Sequence, residues 1–201
     1  MSEANSETTT TDGRRLRSED SKRKIVAAML ELVREGSMAP TAEEVAQRAN
    51  VGLRTVFRRF KDMESLYAEM SVAISEKIEP VINQALNHPD WRENFVQLLD
   101  RRLKVYEIIH PYRVAADALR FQSDMLKNRH RQIVRDERER LIASLPEFVS
   151  HDTALIEGLN AVMSFDMWNQ LRDDQKLDVD QATRVIYRLV SRLLPQADLH
   201  T

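Results

Sequence analysis

Cysteine is absent from the 201 residues, which excludes a disulfide framework, a thiolate metal site and a cysteine nucleophile. Glycine is scarce, present only as Gly13, Gly36, Gly52 and Gly158. No G-x-G-x-x-G or P-loop pattern can be assembled from these four, so the usual phosphate-cradling nucleotide sites are excluded as well. Long apolar runs are also missing. The longest, Ile25 to Leu30, is far too short to cross a bilayer, and no membrane partner is expected. The N-terminal MSEANSETTTTDGRR carries no apolar stretch of the kind a secretory signal needs, and a chain without cysteine suits a reducing cytosol. A cytoplasmic location is the expectation.

What the chain does contain is helical periodicity. The six prolines, Pro40, Pro80, Pro89, Pro111, Pro146 and Pro195, fall between helical stripes and are expected to punctuate the chain into helices. The first thirteen residues are polar, have almost nothing to bury and are expected to be disordered. From about Ser18, the residues Ile25, Met29, Leu32 and Val33 repeat at helical spacing, and Gly36 stands where a left-handed C-cap would end that helix.

Residues 41–60 read TAEEVAQRANVGLRTVFRRF. Thr41 and Glu44 fit a capping box that opens a short helix. Its inward stripe is Val45, Ala46 and Ala49, and it ends at Asn50, a residue type that tolerates the left-handed conformation. On a wheel of about 100° per residue, Leu53, Val56, Phe57 and Phe60 gather on one side and Arg54, Thr55, Arg58 and Arg59 on the other. Helix, short turn and basic helix make a helix-turn-helix. Arginine suits nucleic acid because its planar fork pairs bidentately with guanine O6 and N7 or with a phosphate. Charge is segregated accordingly. From Arg14 to Asp62 there are 12 lysines and arginines against 7 acids; the rest of the chain holds 18 against 25. The acidic remainder is expected to face away from DNA.

Residues from about Ser18 to Met70 resemble the DNA-binding region of the tetracycline-repressor (TetR) family of bacterial transcription regulators. TAEEVAQRANV corresponds to the support helix and turn, LRTVFRRF to the recognition helix, and KDMESLYAEM to the opening of the fourth helix. The resemblance covers roughly the first third of the chain. It implies an all-α protein, with an N-terminal three-helix head followed by a larger helical body that dimerises and binds a small effector. Residues 1–17 are then a disordered or basic arm, 18–62 the DNA-binding domain, and 63–201 the regulatory and dimerisation domain.

Four positions depart from the family pattern. Asn50 replaces a turn glycine, Gly52 a serine cap, Phe57 a tyrosine, and Met63 a lysine. Loss of that hydroxyl and that ammonium leaves Arg58, Arg59 and Lys61 as the nearby phosphate-binding candidates. Leu53, Arg54 and Thr55, at the N-terminal end of the recognition helix, are expected to read base edges. Thr41 adds either a phosphate contact or a cap alone, and the GRRLR arm either touches DNA or is a solvated tail.

Further stripes run over 62–78, 90–109, 112–126, 125–145, 153–171 and 179–194. Leu155, Leu159, Val162, Val185, Ile186, Leu189, Val190 and Leu193 lie on the last two. Their apolar faces either close the monomer core or, as the resemblance implies, pair with a second subunit. Trp91, Phe95, Tyr106, His110, Arg113, Phe121, Met125, Met163 and Trp168 are the candidate effector-pocket residues. The expected function is a ligand-responsive repressor that binds a palindromic operator as a homodimer. Its partners are double-stranded DNA, a second copy and a small effector, with no catalytic residue, metal or cofactor.

Two alternatives belong to other classes. A helical adaptor that has lost DNA binding is opposed by the intact arginine face. A metal-dependent bundle enzyme would use Glu107 and His110, an E-x-x-H, but it needs a second copy of that spacing. Glu147 and His151 have the wrong offset.

Overall fold

The computed structural model describes residues 7–194, and the expectations for residues 1–6 and 195–201 lie outside the described residues. The described chain is all-α. Its helices are α1 (Glu7–Arg34), α2 (Ala42–Arg48), α3 (Leu53–Arg59), α4 (Met63–Ile82), α5 (Trp91–Arg120), α6 (Asp124–Ala143), α7 (Glu147–Ser150), α8 (Thr153–Val162), α9 (Phe165–Asn169) and α10 (Val179–Leu193). A π-helical turn, Gln170–Asp174, continues from α9. No described helix is long and apolar enough to cross a membrane.

Four boundaries differ from those expected. Helix α1 begins at Glu7, well ahead of Ser18, and carries the GRRLR segment. Once Ile25, Val26 and Met29 have anchored the helix in a core, each added residue gains a backbone hydrogen bond without a new nucleation cost. Pro80 and Pro111 lie inside α4 and α5 and do not separate helices. Each removes one ladder bond, at about 3 kcal/mol in an isolated helix. Around Pro111, burial of Tyr106, Ile109 and Ala115 offsets that cost and joins the stripes expected over 90–109 and 112–126. The stripe expected over 153–171 breaks instead at Met163, where Ser164 caps α9 by accepting from the Met167 amide at 3.1 Å.

The chain divides into two compact units, one of residues 1–75 with 111–126, the other of 76–110 with 127–201. The core of the first joins Ile25, Met29 and Val33 of α1, Val45 and Ala46 of α2, Val56 of α3 and Phe60 just after it, and Leu66, Tyr67 and Met70 of α4. Ala115 and Leu126 complete it, so this unit extends beyond 18–62. Gly36, at φ +102°, ends α1 as expected: its amide bonds the Val33 carbonyl, and the Ser37 amide bonds the Leu32 carbonyl.

The second unit is packed around Phe95, Leu99 and Tyr106 of α5, Leu141 of α6, Ile156 and Leu159 of α8, Trp168 of α9, and Ile186 and Val190 of α10. Arg102, itself buried, donates to the carbonyls of Met163 and Glu137, and the Tyr106 hydroxyl also donates to the Met163 carbonyl at 2.9 Å. A cation at the C-terminal end of α8 is favoured by the helix dipole, and these donors hold the break between α8 and α9 against α5.

Candidate nucleic-acid interface

The helix-turn-helix is built from local chemistry. At the start of α2 the Thr41 amide donates to Glu44 Oε2 at 2.7 Å, and the Glu44 amide donates to Thr41 Oγ1 at 3.2 Å. The capping box is complete. At the other end Asn50 takes φ 52°, which lets the Val51 amide reach the Ala46 carbonyl at 3.0 Å and reverses the chain. Gly52 then starts α3 with extended backbone and no side-chain cap. Seven residues are too few for a helix to persist alone. Burial of Val56 and Phe60, each contributing about 1.5–3 kcal/mol, holds α3 in place.

The outward face of α3 differs from the expected two-sided wheel. Val56 marks the buried direction. Phe60 lies about 40° from it, Leu53 about 60° and Phe57 about 100°; Arg54 and Arg58 point almost directly away, and Thr55 and Arg59 return on the far side. Leu53 and Phe57 are therefore not on the core face. They are 37% and 51% exposed, because the neighbouring helices cover only the narrow arc around Val56 and Phe60.

Arg59 is the second correction. Its position beside the buried arc brings its guanidinium to the Ser18 hydroxyl of α1, half-buried, with Nε unpartnered. It braces α1 against α3 and does not project outward like Arg58. Arg54, Arg58 and Lys61 are exposed and make no ion pair or hydrogen bond among the described residues. Arg48, by contrast, lies 2.6 Å from Glu35 and 3.5 Å from Glu31. The hydrogen bond from Arg48 holds the Glu35 carboxyl below its ordinary range despite some desolvation. Thr41 is exposed at the start of α2 and Thr55 is half-buried.

The candidate effector residues are divided between the two units. Phe95, Tyr106, Met163 and Trp168 are buried in the second unit, with Trp91 and His110 half-buried there. Arg113, Phe121 and Met125 belong to the first unit. Phe121 and Met125 are exposed, Phe121 beneath the Arg120 guanidinium, while Arg113 lies 3.3 Å from Asp117. Of the proposed interface residues, Leu159, Ile186 and Val190 are fully buried in their own chain. The apolar face of α10 is wide enough for one edge to close the core while Val185, Leu189 and Leu193 remain partly uncovered, as do Leu155 and Val162 of α8.

One cluster had no local signal in the sequence. Glu107 accepts from Trp168 Nε1 at 2.8 Å and from Arg172 Nε at 2.9 Å, across 61 and 65 residues. Burial alone would raise the Glu107 carboxyl, but the hydrogen bonds from Arg172 and Trp168 outweigh it and hold the group below its ordinary range. His110 lies 3.6 Å from Asp173 and against the Phe165 ring. Glu107 and His110 thus have separate partners in the fold.

A helix-turn-helix whose second helix presents unpaired arginines, in an otherwise helical chain, defines a DNA-binding regulator. Residues 25–70 match the family model of bacterial regulatory proteins of the tetR family. A transcriptional regulator from Rhodococcus sp. Rha1 shares the fold at TM-score 0.71 and 16% identity, over 90% of this chain and 99% of that one. A TetR-like transcriptional regulator from Rhodococcus sp. RHA1 does so at TM-score 0.56 and 13% identity, over 87% and 96%. No curated protein matches the chain significantly. Residues 25–70 thus carry the DNA-binding region of the bacterial tetR regulatory family, and the described chain as a whole shares its fold with the two Rhodococcus regulators.

Proposed function

We propose that the protein is a cytoplasmic repressor that binds a palindromic operator as a homodimer and is released by a small-molecule effector. The observation that carries this reading is the outward face of α3, on the second helix of the helix-turn-helix, where Arg54, Arg58 and Lys61 are exposed, make no ion pair or hydrogen bond among the described residues and can meet phosphate and base edges. Arg54 and Thr55, near the start of the helix, read bases, while Arg58 and Lys61 bind phosphate; Thr41 adds a backbone contact from α2. One short helix reads too few base pairs to be selective. Two related by a twofold axis read half-sites roughly 34–36 Å apart.

The dimer reading rests on Leu155 and Val162 of α8 and Val185, Leu189 and Leu193 of α10, apolar side chains that their own core leaves partly uncovered. The effector acts from the second unit by favouring a head spacing unfit for the operator, so DNA and effector weaken each other by the same factor.

The test is fluorescence anisotropy on duplex DNA from upstream of the protein's own gene, together with sedimentation of wild type and Leu189→Asp. Tight binding by a wild-type dimer, with a helical but monomeric and weakly binding variant, is the expected result. A variant that remains dimeric and binds as wild type would remove α10 from the interface. No preference for any upstream duplex over random DNA would count against the operator reading.

A further inference from the structure

The apolar side chains on the recognition helix have no role in phosphate binding and no partner in the core. Leu53 and Phe57 are one helical turn apart, so their side chains are neighbours on the surface. They are 37% and 51% exposed on a helix whose inward arc is already filled by Val56 and Phe60. On the wheel they form a strip that borders the Arg54–Arg58 ridge on one side, while Thr55 borders it on the other. An exposed Leu-Phe pair beside two exposed arginines matches a partner that offers an apolar surface next to anionic groups. In the major groove of B-DNA that surface is the C5-methyl of thymine.

We infer that Leu53 and Phe57 determine sequence specificity by packing on thymine methyl groups beside the guanines or phosphates held by the arginines. The inference rests on the operator-binding reading above. Four residues of helix rise about 6 Å, close to two base-pair steps of about 3.4 Å, so the strip covers methyls no more than about two or three steps apart in each half-site. The chemistry favours thymine over the alternatives. Cytosine presents an amino donor in the groove and no methyl, and neither side chain can accept its hydrogen bond. The sugar-phosphate backbone offers a phenylalanine no hydrogen bond. Burying one methyl contributes about 0.8 kcal/mol, which is roughly fourfold in affinity.

The experiment begins by selecting the bound site from random-sequence duplexes with the full-length protein. Each thymine of the selected duplex is then replaced in turn by deoxyuridine, which removes the methyl and leaves every hydrogen-bonding group in place. Binding is measured for wild type, Leu53→Ala and Phe57→Ala; both residues are exposed, and circular dichroism checks that each variant keeps its helices. The expected result is one or two positions per half-site where deoxyuridine weakens wild-type binding about fourfold. At one of them Phe57→Ala should bind thymine and deoxyuridine equally. A selected site with no thymine, or with every deoxyuridine duplex within about 1.5-fold of the parent, overturns the inference while leaving operator binding intact. Discrimination that persists unchanged in both variants overturns it equally. If no sequence is enriched over random DNA, the operator reading fails and this inference fails with it.

Discussion

In the first unit Arg54 and Arg58 of α3 extend outward with no acceptor among the described residues, whereas in the second Arg172 places its guanidinium on both oxygens of Glu107. Arg102 in the second unit is buried and spends its donors on two backbone carbonyls, and Arg138 lies 2.6 Å from Glu157. Both regions are rich in arginine. At Arg102 and Arg172 the cation is consumed by the fold and fixes where a helix breaks or a turn docks. Arg54 and Arg58 of α3 have no acceptor among the described residues, so their charge remains available to a partner. Neither arginine density nor the lack of a partner marks the surface by itself, since Arg135, Arg140, Arg184 and Arg188 of the second unit are also exposed without an ion pair or side-chain hydrogen bond among the described residues; what sets Arg54 and Arg58 apart is that they stand on the second helix of the helix-turn-helix. Within the first unit Arg48 and Arg59 are engaged while Arg54 and Arg58 are not.

The comparison can be sharpened by removing one group from each side. The largest effect is expected in the second unit. Trp168 is fully buried and its indole holds Glu107 in place, so Trp168→Ala should lower stability by about 3–5 kcal/mol, measured by urea unfolding. A loss below about 1 kcal/mol would show that the α9 region contributes little to the core. On α3 the expectation is reversed. Arg54→Ala should leave the unfolding midpoint nearly unchanged and reduce discrimination between operator and random DNA by about 1–3 kcal/mol, read from competition binding. An appreciable shift in unfolding would mean that Arg54 has a structural partner.

A smaller, pH-dependent difference follows from Glu107. Its carboxyl is held below the ordinary value of 4.5 in the folded state. The unfolded chain therefore binds this proton more readily, and the stability contributed is fully present above about pH 4.5 and lost as pH falls through the depressed value. Thermal unfolding of Glu107→Gln between pH 3 and 7 should show a shallower acid limb than wild type, with operator affinity at pH 7 unchanged. Identical acid limbs would contradict the assignment.

What was legible in the sequence was local. Thr41 with Glu44, Asn50 at the turn and Gly36 at the end of α1 each announce themselves by a requirement met within three to five residues, and each is realised in the structure. The basic helix was legible for the same reason. Its finer geometry was not, because exposure at Leu53 and Phe57 depends on how wide an arc the neighbouring helices cover, which periodicity does not encode. The role of Arg59 was hidden by the 41 residues that separate it from Ser18. Leu159, Ile186 and Val190 could not be told from Leu155 and Leu189 by pattern alone, since core and interface both select apolar side chains. Pro111 looked like a boundary because the cost of an interior proline is local, whereas the packing that offsets it comes from both sides of a long helix.

The most direct test is the salt dependence of operator binding in two charge-removing variants of the same unit, Arg58→Gln on α3 and Arg48→Gln on α2. Each neutralised phosphate adds about 0.9 to the slope of log K against log salt. Arg58→Gln should flatten the slope by about one unit for each phosphate that Arg58 neutralises, while Arg48→Gln, whose charge already faces Glu31 and Glu35, should leave it unchanged. Equal flattening in both variants, or none in Arg58→Gln, would contradict the claim that the unpaired face of α3 is the DNA-binding surface.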